Sequence, residues 1–165
     1  MKKIIEKEQF SRTLKRVTHE IIERNEDLSK VILVGIERKG LPIAKEIRDL
    51  IKQFEGIDVP LESINISSYR DDHKKEHNVK SIFNTTINDK RIILVDDVLY
   101  TGRSVRAAMD AIMDMGRPAK VELAVFVDRG HREWPIRADF VGKIIPNSKN
   151  ELVIVDYLSR EVILK

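Results

Sequence analysis

Two adjacent carboxylates, Asp96 and Asp97, follow the run Arg91-Ile92-Ile93-Leu94-Val95 and precede Val98-Leu99-Tyr100-Thr101-Gly102-Arg103-Ser104. Side by side, two carboxylates repel, so the pair is unfavourable unless donors or a cation compensate. The vicinal hydroxyls of a sugar would do so, as would Mg²⁺, which prefers oxygen ligands shared with phosphates. The hydroxyls and glycine that come next suit a different group. Loop N–H groups and the start of a helix direct positive partial charge at a phosphate. The chemistry these residue types allow is therefore the holding of a sugar phosphate. The run lacks the Gly-Lys-Ser/Thr ending of a Walker A loop and the three spaced glycines of a dinucleotide fingerprint. Taken alone, the two acids would also serve as caps for the next helix.

Periodicity indicates the elements that must position these residues. A buried strand leads into the acids, and a helix follows with Val105, Ala108, Met109, Ile112 and Met113 on its apolar face. Phe10, Leu14, Val17 and Ile21 recur at helical spacing and predict a first helix over Ser11 to Arg24, capped by Ser11 or a neighbour. Val31 to Ile36 is a short β-branched run, expected as a buried strand. Gly35 to Gly40 turns the chain, Pro42 suits a first helical turn, and Ile43, Ile47, Leu50, Ile51 and Phe54 mark a second helix. Leu61 to Tyr69 reads as a strand. Arg70 to Asn78 has no apolar residue and is expected to be exposed and mobile. Asn88-Asp89 marks a turn, Gly116 a helix C-cap and Pro118 a stop. Val121 to Val127 is another buried strand, ending in Asp128-Arg129-Gly130-His131-Arg132, and Leu152 to Val155 and Val162 to Leu164 are expected to pair antiparallel. Alternating strands and helices predict an α/β fold: a mainly parallel twisted sheet with helices on both faces. In such sheets ligands bind beyond the carboxyl ends of the strands. Asp96, Asp97, the Arg38-Lys39 turn and Asp128-Arg129 are all expected there.

Composition bounds the function. A chain of 165 residues, 42% apolar and 35% charged, suits one soluble globular domain spanning 1–165. The lack of cysteine excludes disulfides, thiolate metal sites and a cysteine nucleophile. The first residues carry no signal-peptide pattern and no apolar run is long enough for a bilayer, so a cytoplasmic location is the default expectation. With 30 Lys and Arg against 27 Asp and Glu, the net charge of +3 does not by itself imply nucleic acid. Its distribution matters more. Arg12, Lys15, Arg16 and His19 share the helix face opposite Phe10, Leu14, Val17 and Ile21, which periodicity alone reads as a solvated face. His19 and His131 are isolated and without cysteines, so no resident metal site is expected from them.

The acid-pair run resembles the phosphoribosyl pyrophosphate (PRPP) motif of type I phosphoribosyltransferases. The resemblance implies that fold, with a small antiparallel hood, and Mg²⁺ bound with PRPP. It implies that Asp96 and Asp97 meet the ribose hydroxyls, while Tyr100, Thr101, Gly102, Arg103 and Ser104 cradle the 5′-phosphate. The Gly35 to Gly40 turn resembles the family's pyrophosphate loop, placing Arg38, Lys39 and Gly40 on substrate. Lys39 then joins the two acids as the residues carrying catalysis.

More narrowly, Val95 to Arg103, Val127 to Glu133, Pro135 to Asp139, Leu33 to Ile36 and Ser68-Tyr69-Arg70-Asp71-Asp72 resemble one family. It is that of the bifunctional pyrimidine-operon attenuation regulators and uracil phosphoribosyltransferases, the PyrR family. The likeness runs from the first helix to about Glu151. It implies conversion of uracil and PRPP to UMP and pyrophosphate, binding of operon leader mRNA in response to UMP, and a homodimer or larger assembly. Tyr100 stands where purine-specific members often carry an acid, which favours a pyrimidine. Arg129, Phe140 and Val141 are implied for the base pocket, and Lys15, Arg16, His19, Arg24, His131, Arg132, Arg137 and Lys143 for the RNA face. Three departures stand out. The loop reads Arg38-Lys39-Gly40 where the family usually has Thr-Arg-Gly, and lysine gives a point charge where arginine gives a two-pronged donor. The segment after Asp72 is short, and the tail after Glu151 diverges. Two other readings stay open: an enzyme without an RNA role, and a nucleotide sensor with weak catalysis.

Overall fold

The computed structural model describes residues 1–67 and 83–165. The chain begins with β1 (Lys2–Ile5) and α1 (Lys7–Arg24), then a single 3₁₀ turn at Leu28–Lys30. The core units follow: β2 (Val31–Ile36), α2 (Gly40–Glu55), β3 (Leu61–Ile64), β4 (Arg91–Leu99), α3 (Arg103–Met115), β5 (Lys120–Asp128) and β6 (Phe140–Ile144). The chain closes with β7 (Val153–Asp156) and β8 (Glu161–Leu164).

Five strands form a parallel sheet in the order β3-β2-β4-β5-β6. The strands are apolar on both faces because both faces are covered. Alternation divides them: Val31, Leu33, Ile93, Val95, Ala124 and Phe126 pack with α1 and α2, while Ile32, Val34, Ile92, Leu94, Leu123 and Val125 pack with α3. Each of these side chains except Ala124 stabilises the fold by about 1.5–3 kcal/mol on burial. A separate antiparallel sheet, β1-β8-β7, makes the expected hood. No described helix is long and apolar enough to cross a membrane.

Several boundaries differ from expectation, each for a local reason. Strand β4 does not stop before the acids. It runs through Asp96 and Asp97 to Leu99, because β5 stays in register with it from Arg91↔Lys120 to Leu99↔Asp128. Helix α1 starts four residues early, with Glu6 at the N-cap and no side-chain cap, and Ser11 Oγ donates to Lys7 O within the helix at 3.3 Å. Met109 and Met113 are exposed; the small residues Ala107 and Ala111 meet the sheet instead, letting α3 lie close. Gly116 is the C-cap but not left-handed (φ 166°). Strand β3 ends at Ile64 rather than Tyr69. The predicted exposed segment Arg70 to Asn78 and the Ser68 to Asp72 match lie outside the described residues.

Candidate nucleotide site and basic face

The acid pair is set by main chain as much as by side chains. Asp97 N–H donates to Asp96 Oδ1 and Val98 N–H to Asp97 Oδ1, both at 2.8 Å. Asp96 is only 7% exposed, whereas Asp97 is half-buried. Burial, reinforced by the neighbouring Asp97 charge, pushes the Asp96 carboxyl well above the ordinary carboxylate range. A pair in that state gains from hydroxyl donors or from a cation. Among the described residues no cluster of three or more acids or histidines gathers to hold a metal ion. The donor set thus fits a Mg²⁺ that draws most of its oxygens from substrate and water.

Past the pair, Gly102 takes φ 96° as the N-cap of α3, a conformation that favours glycine. The turn is held by Arg103 N–H donating to Thr101 Oγ1 at 3.2 Å and Arg106 N–H to Gly102 O at 2.9 Å. The start of α3 therefore sits where an anion would be stabilised by the helix dipole. Residues 133–136 back this loop. Glu133 N–H donates to Thr101 O (2.8 Å), its carboxylate pairs with Arg103 (2.7 Å), and Arg103 lies over the Trp134 ring at 4.9 Å. Ser104 is half-buried beside them.

Two further loops reach the same edge. Glu37, Arg38 and Lys39 are exposed, the Glu37-Arg38 peptide is cis, and Lys39 is the N-cap of α2. Gly40 lies directly against β4: a Cβ there would overlap the Val95 carbonyl oxygen and come within 3.0 Å of Asp96 Cα. Only glycine lets the loop rest on the acid pair. From β5, Arg129 N–H donates to Leu99 O (3.1 Å). The Arg129 side chain, 6% exposed, is spent internally. It donates to Asn147 Oδ1 (3.3 Å), Ser148 O (3.2 Å) and Glu151 O (2.6 Å), and stacks over Tyr100 at 4.1 Å. His131 meets Tyr100 edge-on at 5.7 Å, and its Nε2 lies 2.6 Å from Asn147 O, so that nitrogen donates.

The structure thus brings together Arg38, Lys39, Gly40, Asp96, Asp97, Tyr100 to Ser104 and Arg129. It does not bring Phe140 and Val141 to them. Phe140 is buried in the core under the Arg24 guanidinium (4.9 Å), and both line a groove between α1 and β6 with Arg16, Glu20, Glu23 and Asp139.

The basic residues fall into two groups joined by the edge strand β6. On α1, Arg12, Lys15, Arg16, His19 and Arg24 are exposed. Several already have partners. Arg16 donates to Val141 O (3.3 Å) and to Gly142 O and pairs with Glu20 (3.1 Å). His19 stacks on Phe54 at 4.3 Å. Arg24 lies 3.7 Å from the buried Glu122 and 3.8 Å from Asp139. The second group is His131 and Arg132, with Arg132 3.9 Å from Asp128, while Arg137 is exposed between Ile136, which packs on Gly102, and the start of β6. Lys143 stands between the groups, opposite Val127. At the end of β6, Ile144 lines a cleft with His131 and Arg132.

Glu46, Tyr157 and Arg160 are singled out by no sequence pattern. They form one polar knot beneath the hood, with Arg160 and Glu46 114 positions apart, so no local pattern marks them. The same holds for Glu133 and Trp134, whose part is to hold Arg103.

The phosphoribosyl transferase domain family matches residues 3–159. The "Bifunctional protein PyrR" of Streptococcus suis is 53% identical over 154 residues, 93% of this chain and 88% of that protein. The protein of the same name from Enterococcus faecalis is 50% identical over 97% of this chain and 92% of its own length. Among solved structures, the hypoxanthine phosphoribosyltransferase of Trypanosoma cruzi superposes with a TM-score of 0.78 at 20% identity, covering 99% of this chain and 95% of that one. A hypoxanthine-guanine phosphoribosyltransferase of Bacillus anthracis gives 0.74 at 20% identity, over 98% and 96%. Those two share the fold; the relatives at half identity share far more. On the family match and these relatives together, the chain belongs to the phosphoribosyltransferase domain family and, within it, to the bifunctional PyrR proteins.

Proposed function

We propose that this protein is a UMP-responsive, RNA-binding regulator of pyrimidine-operon attenuation that also transfers phosphoribosyl from PRPP to uracil. The observation that carries the reading is the acid pair of β4, seated between the Arg38 to Gly40 loop and the N-terminus of α3. Asp96 and Asp97 bind the ribose hydroxyls. Thr101 to Ser104 and the start of α3 hold the 5′-phosphate, with Tyr100 closing the loop against Arg129 and His131. Lys39, beside Arg38 and Gly40, takes the pyrophosphate. In the transfer, uracil N1 forms a bond to the anomeric carbon as the bond to pyrophosphate breaks, and the N1 proton passes to the pyrophosphate oxygens or to water. The transition state resembles an oxocarbenium ion, so positioning and charge do most of the catalysis. Mg²⁺ bound with PRPP would neutralise pyrophosphate charge. The RNA face comprises Lys15, Arg16, His19, Arg24, His131, Arg132, Arg137 and Lys143, in a homodimer or larger cytoplasmic assembly.

A steady-state assay with uracil and PRPP tests the enzyme half. UMP and pyrophosphate formed in equal amounts support it; no turnover with nucleotide binding retained would leave a sensor instead. One observation favours a second reading, an enzyme with no RNA role: Arg16 and Arg24 are tied to β6, Glu122 and Asp139. Absence of RNA binding by the unmodified protein would decide for that reading.

A further inference from the structure

The hood packs on the core through Ile5, Val153, Val155 and Val162, and a polar knot lies beside that apolar contact. Arg160 Nη1 and Nη2 donate to Glu46 Oε1 and Oε2 at 2.8 and 2.9 Å, the forked geometry that makes the strongest ion pairs. The same guanidinium donates to Ser11 Oγ on α1 at 2.9 Å and lies over Phe10 (4.9 Å) and Tyr157 (5.5 Å). Tyr157 O–H donates to Glu46 as well. Arg160 and Glu46 are 20% and 21% exposed, shielded enough that water and salt weaken the pair little. Burial and the Glu46 carboxylate push the Tyr157 hydroxyl up to about 12, so it stays a donor at neutral pH.

These residues join the two walls of a cleft. Its volume is about 290 Å³; Arg38, Lys39 and Pro42 line one side, and β7 with its following turn, Ile154 to Leu158, the other. Glu46 lies six positions after Gly40 on the helix that the loop opens, and Tyr157 follows directly on β7. The loop is anchored at its first residue, where Glu37 N–H donates to Ile64 O of β3 (2.9 Å), but the side chains of Glu37, Arg38 and Lys39 are exposed and Lys39 makes no side-chain cap bond. Beyond that bond, the place of Arg38 and Lys39 depends on Gly40 resting on β4 and on what holds the first turns of α2.

We propose that Glu46, Tyr157 and Arg160 are positioning residues for the pyrophosphate side of the site, holding the hood and the start of α2 together so that Lys39 stands at a fixed place relative to Asp96. The proposal rests on the reading of Arg38 to Gly40 as the pyrophosphate loop. It separates two ligands that share the ribose 5′-phosphate. PRPP uses the loop; UMP, which has no pyrophosphate, does not.

Calorimetric titration of PRPP with Mg²⁺, and of UMP, tests this in the parent protein, Arg160→Gln, Arg160→Lys, Glu46→Gln, Tyr157→Phe and the Arg160→Gln/Glu46→Gln double variant. Melting curves confirm that each is folded. In Arg160→Gln, PRPP should bind about tenfold more weakly while UMP changes by about twofold or less, since displacement of a positioning loop penalises the ligand that touches it. Arg160→Lys should recover part of the loss, and the double variant should be no worse than the worse single one, because one interaction is removed in each. Tyr157→Phe loses a single hydroxyl and should show the same preference more weakly. Equal weakening of both ligands, or no weakening of PRPP in folded variants, would overturn the proposal. A parent protein that binds neither ligand would overturn the reading of the site and this proposal with it.

Discussion

At the carboxyl end of β4 the groups that would meet a ligand are largely main chain, or side chains fixed by it. Asp96 and Asp97 accept neighbouring N–H groups, Gly102 opens a helix, and Gly40 lies against the strand without a side chain. On α1 the corresponding groups are long cationic side chains, several already bonded to β6, α2 or buried carboxylates. The first region is preorganised and should bind with little rearrangement. The second holds its cations in internal contacts that RNA phosphates would have to replace or share. Substitutions should therefore act differently in the two regions: at the acid pair they should remove function and spare the fold, and at the bonded cations of α1 they should touch both.

The largest effect expected is at the acid pair. Asp96→Asn with Asp97→Asn should lower uracil transfer by about a thousandfold or more, as loss of preorganised charge at a reacting centre does, with the melting temperature no lower. Undiminished turnover would remove the pair from the site. Gly40→Ala comes next. The added Cβ must displace either the loop or β4, so both transfer and stability should fall, the latter by about 1–3 kcal/mol. A Gly40→Ala protein of normal activity and melting point would show that the loop does not rest on the pair.

On α1 the comparison is sharpened by neighbours. Arg16→Ala loses bonds to two β6 carbonyls and should cost about 1 kcal/mol in denaturant unfolding as well as RNA affinity. Lys15→Ala should weaken RNA binding, reduce its salt dependence, and leave stability within about 0.5 kcal/mol. Equal stability losses at both positions would erase the distinction between committed and uncommitted cations.

The smallest effect is on stability against pH. The folded-state Asp96 carboxyl titrates above its unfolded value, so folding takes up a proton in the window between the two. Stability from this group is full below the ordinary carboxylate range and is lost as pH rises through the raised value. Ligand-free Asp96→Asn should therefore melt higher than the parent at neutral pH, and the gap should close as pH falls below that window. A parent that melts at or above Asp96→Asn at neutral pH would contradict the assigned burial.

The legible parts of the molecule were those with local causes. The β-branched runs of β2, β4 and β5, the helical stripe of α1 and the glycine turn at 102 each reflect a backbone preference or period that neighbours in sequence reveal. Strand β1 was missed because Lys2-Lys3-Ile4-Ile5 has no alternation, and its ladder partner β8 lies at the other end of the chain. Strand β6 was missed as a strand because Gly142 and Lys143 interrupt its apolar character, although parallel pairing with β5 holds it. The carboxylates were expected beyond the strand because acids disfavour buried strands; the ladder with β5 overrides that preference. Within the site, residue types marked the acid pair and phosphate loop. Whether a cation such as Arg129 or Arg16 faces a ligand or a carbonyl depends on contacts across the fold that no spacing reports.

The central claim is that one chain couples a nucleotide site to an RNA face, and affinity for the operon leader RNA with and without UMP tests it most directly. Measured between about 50 and 200 mM salt, UMP should tighten binding by about tenfold at each concentration, while the salt slope reports the phosphate contacts. An RNA affinity that UMP leaves unchanged, in a protein that demonstrably binds UMP, would contradict the account.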